Sequence, residues 1–270
     1  MHTIAVANHK GGVGKTATTH ALGAVLAEEH GARVLLVDCD PQASLTQAAG
    51  LRSAEGCSLA EVMGGAAPGT LPLSAVIQSL SLIERPATQK IERILAIAPA
   101  DIALATTELG LTARMGRENV LRRVLASVGR DFDIVLLDCA PSLGLLTVNA
   151  LTAADGVIVP TIPQAADLRG LRLFLDSVTA IRRELNPALQ VLGVLVTFYD
   201  SRLKHHAAAI ETMELAGLDL FLTRIGRTVR IAEAAGAGQP VTEYEPRNPQ
   251  AEAYRDLAQE VEAWRERNRG

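Results

Sequence analysis

The sequence predicts a single doubly wound α/β domain, with helices flanking one mostly parallel sheet. Three observations carry that expectation. Continuous apolar runs alternate with helical patterns along the chain, which is the signature of strand–helix–strand units. Several runs end on an acid or a proline, as strands do where they meet a ligand-facing edge. No Pro/Gly/Ser-rich linker and no internal repeat divides residues 1–270.

The elements follow in order. Ile4-Ala5-Val6-Ala7 reads as the first strand, and the glycine-rich stretch after it opens a helix carrying Leu22, Val25 and Leu26. Arg33-Val34-Leu35-Leu36-Val37-Asp38 is apolar without alternation, so both faces of that strand are buried. Between 43 and 80 the pattern breaks up, and only a short helix over 58–63 is predicted. A strand over 94–98 and helices over 101–110 and 117–128 come next. Strands over 134–138, 155–160 and 191–197 alternate with helices over 168–185 and 203–216, and a strand over 218–223 closes the series. From about Gln250 the tail is helical, with Tyr254, Leu257, Ala258, Val261 and Trp264 on one face.

Composition sets the outer limits. The chain is 48% hydrophobic but only 3% aromatic, so Ala, Leu, Val and Ile must fill a full-sized core. Its apolar runs fall short of the roughly 18–20 residues that span a bilayer. The N-terminus runs directly into a strand, so neither a signal peptide nor a preceding helix-turn-helix domain is expected, and the expected location is the cytoplasm. Cys39, Cys57 and Cys139 show no C-x-x-C spacing; Cys39 and Cys139 read as small hydrophobes at strand ends. A net charge of −4 means that any nucleic-acid contact must come from a local basic patch.

The chemistry concentrates in Asn8-His9-Lys10-Gly11-Gly12-Val13-Gly14-Lys15-Thr16. Strand, glycine-rich turn and helix form the context of a phosphate-binding loop, whose backbone N–H groups and helix N-terminus face an anion. Lys15 is spaced to reach the β/γ-phosphates and Thr16 to reach Mg²⁺. The strict P-loop pattern fails, because its first glycine falls on His9. What remains, K-G-G-V-G-K-T, is a deviant Walker A motif with a second lysine at Lys10. Asp138, which ends the strand over 134–137, fits a metal-holding Walker B acid.

On this loop the chain resembles the ParA/Soj branch of the ParA–MinD ATPases. The segments Asp38-Cys39-Asp40-Pro41-Gln42, Pro141-Ser142-Leu143-Gly144 and Val229-Arg230-Ile231-Ala232-Glu233-Ala234 extend the resemblance from Ile4 to Tyr254. It implies ATP and Mg²⁺ as ligands, the nucleotide being held by Lys10, Gly11, Gly12, Val13, Gly14, Lys15, Thr16 and Ala17. The same resemblance puts the attacking water under Asp40, alongside Lys10 and Lys15 as catalytic cations. Thr16, Asp38 and Asp138 would form the metal side. Lys10 would cross to the nucleotide of a second copy, so that ATP bridges a homodimer; a contact within its own subunit is the alternative.

Thr197, Phe198, Gly226 and Arg227 are candidate base contacts by the same resemblance. Arg202 and Arg230 would bind double-stranded DNA without sequence preference, against the alternative of a solvated face. The implied activity is slow ATP hydrolysis stimulated by a ParB-like centromere-binding partner, in chromosome or plasmid partition, on the nucleoid when ATP is bound. The chain departs from the family pattern at Ala140, Gly226, Thr228 and Ala235, and over Pro163-Gln164-Ala165-Ala166-Asp167. A MinD-like membrane role would need a free amphipathic C-terminal helix with a basic rim; here the tail stripe reads as core, and no membrane contact is expected. An iron–sulfur reductase or metal carrier would need cysteine spacings the chain lacks. His9 reads as a substitution inside the loop, and His205-His206 as a solvated or packed pair.

Overall fold

The period-two alternation of strand side chains explains why one sheet serves two separate cores. A computed structural model describes residues 1–52, 56–64, 71–80 and 94–268. Its strands are β1 (His2–Val6), β2 (Val34–Cys39), β3 (Gln78–Ser79), β4 (Leu95–Ala98), β5 (Ile134–Cys139), β6 (Gly156–Thr161), β7 (Gln190–Tyr199) and β8 (Leu220–Gly226). They lie in the order β3-β4-β2-β5-β1-β6-β7-β8, all parallel except the β3–β4 pair. Leu35, Val37, Val135 and Leu137 enter one core, while Val34, Leu36, Ile134 and Leu136 enter the other.

The first helix, α1 (Lys15–Glu28), covers the second of these faces. Gly23 lets it lie close: a Cβ there would stand 2.5 Å from the Leu36 side chain. Beyond β2 the chain forms α2 (Ser44–Ala48) and α3 (Leu59–Gly64), then α4 (Ala103–Leu111) and α5 (Val120–Ala126). α6 (Leu145–Ala153) follows β5, α7 (Ala165–Glu184) follows β6, and α8 (Lys204–Leu215) follows β7. After β8 come α9 (Arg230–Gly236), α10 (Val241–Tyr244) and α11 (Pro249–Arg267).

Asn248 caps α11 by accepting from the Gln250 N–H at 2.9 Å, with Pro249 at the first helical position. Tyr254, Leu257, Ala258, Val261 and Trp264 of α11 are buried in the α1-side core, so the apolar stripe of the tail is core, as expected. No helix among the described residues is long and apolar enough to cross a membrane.

The alternation expected from sequence is present, with additions. β3, α2, α9 and α10 are short elements in stretches without periodicity. Helix 117–128 is divided into a 3-10 turn at Arg117–Asn119 and α5, and α7 begins three residues earlier than expected.

Candidate phosphate-binding site

β1 lies between β5 and β6, so the loop that follows it emerges where the strand order reverses, the usual ligand crevice of such sheets. Asn8 pins the loop: its Nδ2 donates to the Pro160 carbonyl at 2.7 Å, and its Oδ1 accepts from the Lys10 N–H at 3.1 Å. Gly12 (φ 72°) and Gly14 (φ 88°) take left-handed backbone conformations that a side chain would strain. Gly14 precedes α1 without any side-chain cap, which leaves the first N–H groups of the helix available to an anion.

Lys15 is buried, and its Nζ donates to the Lys10 carbonyl at 3.0 Å across the loop. Burial lowers its pKa, against the opposing pull of Asp138, Cys139 and Asp40. Thr16 Oγ1 donates to Asp138 Oδ2 at 2.7 Å. Strand register explains the acids. Asp38 and Asp138 are direct partners in the β2–β5 ladder and share the parity of Leu36 and Leu136, which face α1.

Burial pushes the Asp138 carboxyl well above its ordinary range, and the neighbouring Asp38 adds to the shift. Burial likewise raises Asp38 to about 6. Three carboxyls crowd one lysine here, the kind of charge excess that a divalent cation neutralises. Thr16 and Asp138, with oxygen donors side by side at the foot of the loop, fit such a cation.

Asp38 stands apart from the expected metal role. Its Oδ2 accepts from the Thr46 N–H at 2.9 Å and the Thr46 hydroxyl at 2.8 Å, and its Oδ1 accepts from the Asp40 N–H at 3.1 Å. Both oxygens are thus engaged, Oδ2 in anchoring α2 through Thr46 and Oδ1 in holding the Asp40 backbone. Asp40 lines the cleft; its Oδ1 accepts from the Gln42 N–H at 2.9 Å.

The cleft itself measures about 570 Å³, within the range of small-ligand sites. Gly11, Gly12, Gly14, Lys15, Thr16 and Ala17 form its phosphate end, and Thr197, Phe198 and Gly226 lie along it. Thr197 braces the loop, its Oγ1 lying 2.9 Å from the Val13 carbonyl and 3.1 Å from that of Thr161. The Gly226 N–H donates to Gln250 Oε1 at 2.5 Å, and a Cβ at Gly226 would stand 2.9 Å from that amide.

Besides Asp38, four of the expected residues do not line the cleft. Val13 is buried and contributes its carbonyl to Thr197. Arg227 is exposed, with its N–H on the Tyr199 carbonyl at 3.2 Å. Asp138 stands behind Thr16. Lys10 turns away to α7, where its Nζ sits 2.6 Å from both oxygens of Asp167.

The sequence reading missed the far end of the cleft, where Ile231 and Ala235 of α9, Val241 of α10 and Tyr254 of α11 make an apolar wall. It also missed His20, which the i,i+4 spacing from Thr16 could have flagged. Arg202 and Arg230 are exposed, as a DNA contact requires, yet both are already paired. Arg202 forks onto Asp200 at 2.9 and 2.7 Å and holds that carboxyl well below its usual range. Arg230 reaches Glu233 at 2.7 Å and Glu245 at 3.2 Å.

The family model described as an AAA domain matches residues 1–191. The sporulation initiation inhibitor protein Soj of Bacillus subtilis is 39% identical, over 96% of this chain and 98% of that protein. The chromosome-partitioning ATPase Soj of Thermus thermophilus is 40% identical, over 97% and 96%.

The chain belongs to the ParA/Soj family of P-loop ATPases.

Among solved structures, the cobyrinic acid a,c-diamide synthase of Mycobacterium smegmatis with bound ATP analog and magnesium superposes with a TM-score of 0.78. It is 36% identical, over 98% of this chain and 96% of that one. As a ParA/Soj member the chain is an ATP-hydrolysing P-loop enzyme, and the deviant loop, with Lys10 in place of an ordinary residue, is the part of the motif that sets it apart.

Proposed function

We propose that this chain is a partition ATPase: Mg-ATP closes two copies into a dimer that binds DNA without sequence preference, and hydrolysis releases it. The observation that carries the reading is the division of labour between the two loop lysines. Lys15 lies in the cleft, while Lys10 does not line it and instead pairs with Asp167 of α7. A cation so placed suits a second subunit's nucleotide, where exclusion of water would strengthen it.

The loop N–H groups and Lys15 bind and orient the phosphates. Magnesium, held by Thr16 and Asp138, would neutralise phosphate charge. Asp40 orients a water at the open side of the cleft and takes its proton as the water oxygen bonds to the γ-phosphorus. The bond from the γ-phosphorus to the β–γ bridging oxygen breaks, leaving ADP and phosphate. Asp38 holds the start of α2 and so keeps Asp40 in register.

Thr197, Phe198, Gly226 and Arg227 flank the base by analogy with relatives; the first three lie in the cleft wall, which supports them better than Arg227. Arg202 and Arg230 contact DNA phosphates, and a ParB-like partner accelerates an otherwise slow turnover. The names of the Soj relatives support the partition role, and the burial of the α11 stripe argues against a membrane-anchored variant. A cytoplasmic, nucleoid-associated location follows from this reading.

The name of the Mycobacterium smegmatis neighbour supports a second reading, ATP-driven amidation of a carboxylic acid. The two separate in one experiment: molar mass by light scattering and phosphate release, with ADP, ATP and a slowly hydrolysed analogue. A partition ATPase doubles its mass with the triphosphates alone and releases phosphate from Mg-ATP without any acid or ammonia donor. A monomer in every state, or turnover that requires both co-substrates, would overturn the proposal.

A further inference from the structure

One buried polar side chain in the cleft wall has no task in the mechanism above. His20 is 4% exposed, on the second turn of α1. It lines the same cleft as the phosphate loop, makes no hydrogen bond to any described residue, and has neither ring nitrogen among the fully buried unpartnered atoms, so its polar edge faces the open cleft. Burial lowers its pKa to about 4, so the imidazole is neutral at physiological pH, with one N–H donor and one nitrogen acceptor. Such a group facing a ligand cleft acquires its partner when the ligand arrives.

Its position says which part of a ligand that is. Thr16 and His20 are four residues apart on one helix, so they share a face and stand about 6 Å apart along the axis. The phosphate seat is at Thr16; His20 lies further along the cleft, where the walls become apolar at Ile231, Ala235, Val241 and Tyr254. An apolar slot suits a flat heterocycle and its sugar, and a neutral donor–acceptor pair suits their polar edges.

We infer that His20 is a binding residue for the nucleoside part of the bound triphosphate, supplying affinity and selectivity that the phosphate loop cannot. The inference rests on the ATPase reading and adds a residue to that site.

The test compares His20→Ala and His20→Asn with the unaltered protein, titrated with Mg-ATP, Mg-GTP, Mg-2′-deoxy-ATP and magnesium tripolyphosphate. For His20→Ala the expected result is ATP affinity lower by about tenfold, with tripolyphosphate affinity unchanged. His20→Asn, which keeps a donor and an acceptor, should recover part of the ATP affinity. If GTP loses its disadvantage in His20→Ala, the contact is to the base; if 2′-deoxy-ATP binds the unaltered protein and His20→Ala equally, the contact is to the sugar. Equal losses for ATP and tripolyphosphate, or no loss for ATP, would overturn the assignment. Tripolyphosphate binding without ATP binding by the unaltered protein would instead overturn the ATPase reading beneath it.

Discussion

Replacing Lys10 with alanine separates the two lysines of the loop, and the structure sets the size of each effect. In the free chain Lys10 is 39% exposed and Asp167 8% exposed, so their ion pair is partly screened. A pair of that kind is worth about 0.5–1 kcal/mol. The carboxylate left behind lies in the first turn of α7, where the helix N-terminus recovers part of the loss. The melting temperature should therefore fall by no more than about 2–4 °C. Because Lys10 does not line the cleft of its own chain, ATP affinity should change by less than about threefold.

Dimerisation is where the loss should fall. Light scattering with Mg-ATP should show a monomer for Lys10→Ala at concentrations where the unaltered protein is a dimer, and hydrolysis should fall with it. Asp167→Asn is the converse: it frees Lys10 in each subunit from a competing partner worth about 0.5–1 kcal/mol, so the dimer constant should rise about five- to thirtyfold. The reasoning is refuted if Lys10→Ala still dimerises with ATP, or if it loses ATP binding as severely as Lys15→Ala.

Other consequences follow from the same geometry. Asp138→Asn should leave the free chain as stable or more stable, because Asp38 loses a buried like-charged neighbour, yet abolish magnesium-dependent turnover; retained turnover would remove Asp138 from the metal side. Arg202→Glu with Arg230→Glu should lower DNA affinity at low salt by at least about tenfold and flatten its salt dependence, whereas Asp200→Asn should raise affinity by freeing Arg202; a filter-binding titration reads both. Acid stability should depend on Asp133, which the Arg33 fork lowers to about 2. Its contribution is present above the unfolded value near 3.8 and is lost as pH falls toward 2, with under about 1 kcal/mol at stake because both partners are more than a third exposed. Asp38 works oppositely: raised to about 6 by burial, it binds more protons folded than unfolded, so stability falls as pH rises from about 4 to 6. Thermal melts of Arg33→Met and the unaltered protein between pH 4 and 2 should show the Asp133-linked loss of stability in the unaltered protein and a smaller loss in the variant.

Legibility in the sequence followed the range of the interaction. The phosphate loop is a local pattern, since glycines, lysines and the helix start lie within nine residues, and it folds as read. The place of Asp138 beside the loop was legible, because it ends the strand that pairs with β1 and so meets Thr16. The eight-stranded order was not legible, because the β3 edge pairs only two residues with β4. Lys10 and Asp167 are 157 positions apart, and no periodicity links them. The arginines at 202 and 230 look free in sequence, but their acids Asp200, Glu233 and Glu245 are close enough to claim them first. The Asp38 carboxylate reads as one more catalytic acid until the turn into α2 brings Thr46 onto it. The apolar wall of the cleft brings together α9, α10 and Tyr254 of α11, segments far apart in the chain; the Tyr254 stripe is legible as a helix face, but nothing in the sequence links it to the cleft.

The account's central claim is that the triphosphate, through Lys10, makes the chain competent to hold DNA. Retention of a nonspecific duplex, measured with ADP, with ATP and with a slowly hydrolysed analogue at one low salt concentration, tests it most directly. The account predicts retention with ATP and the analogue, longest with the analogue, with none for ADP or for Lys10→Ala. Equal retention in all nucleotide states, or retention by Lys10→Ala, would contradict it.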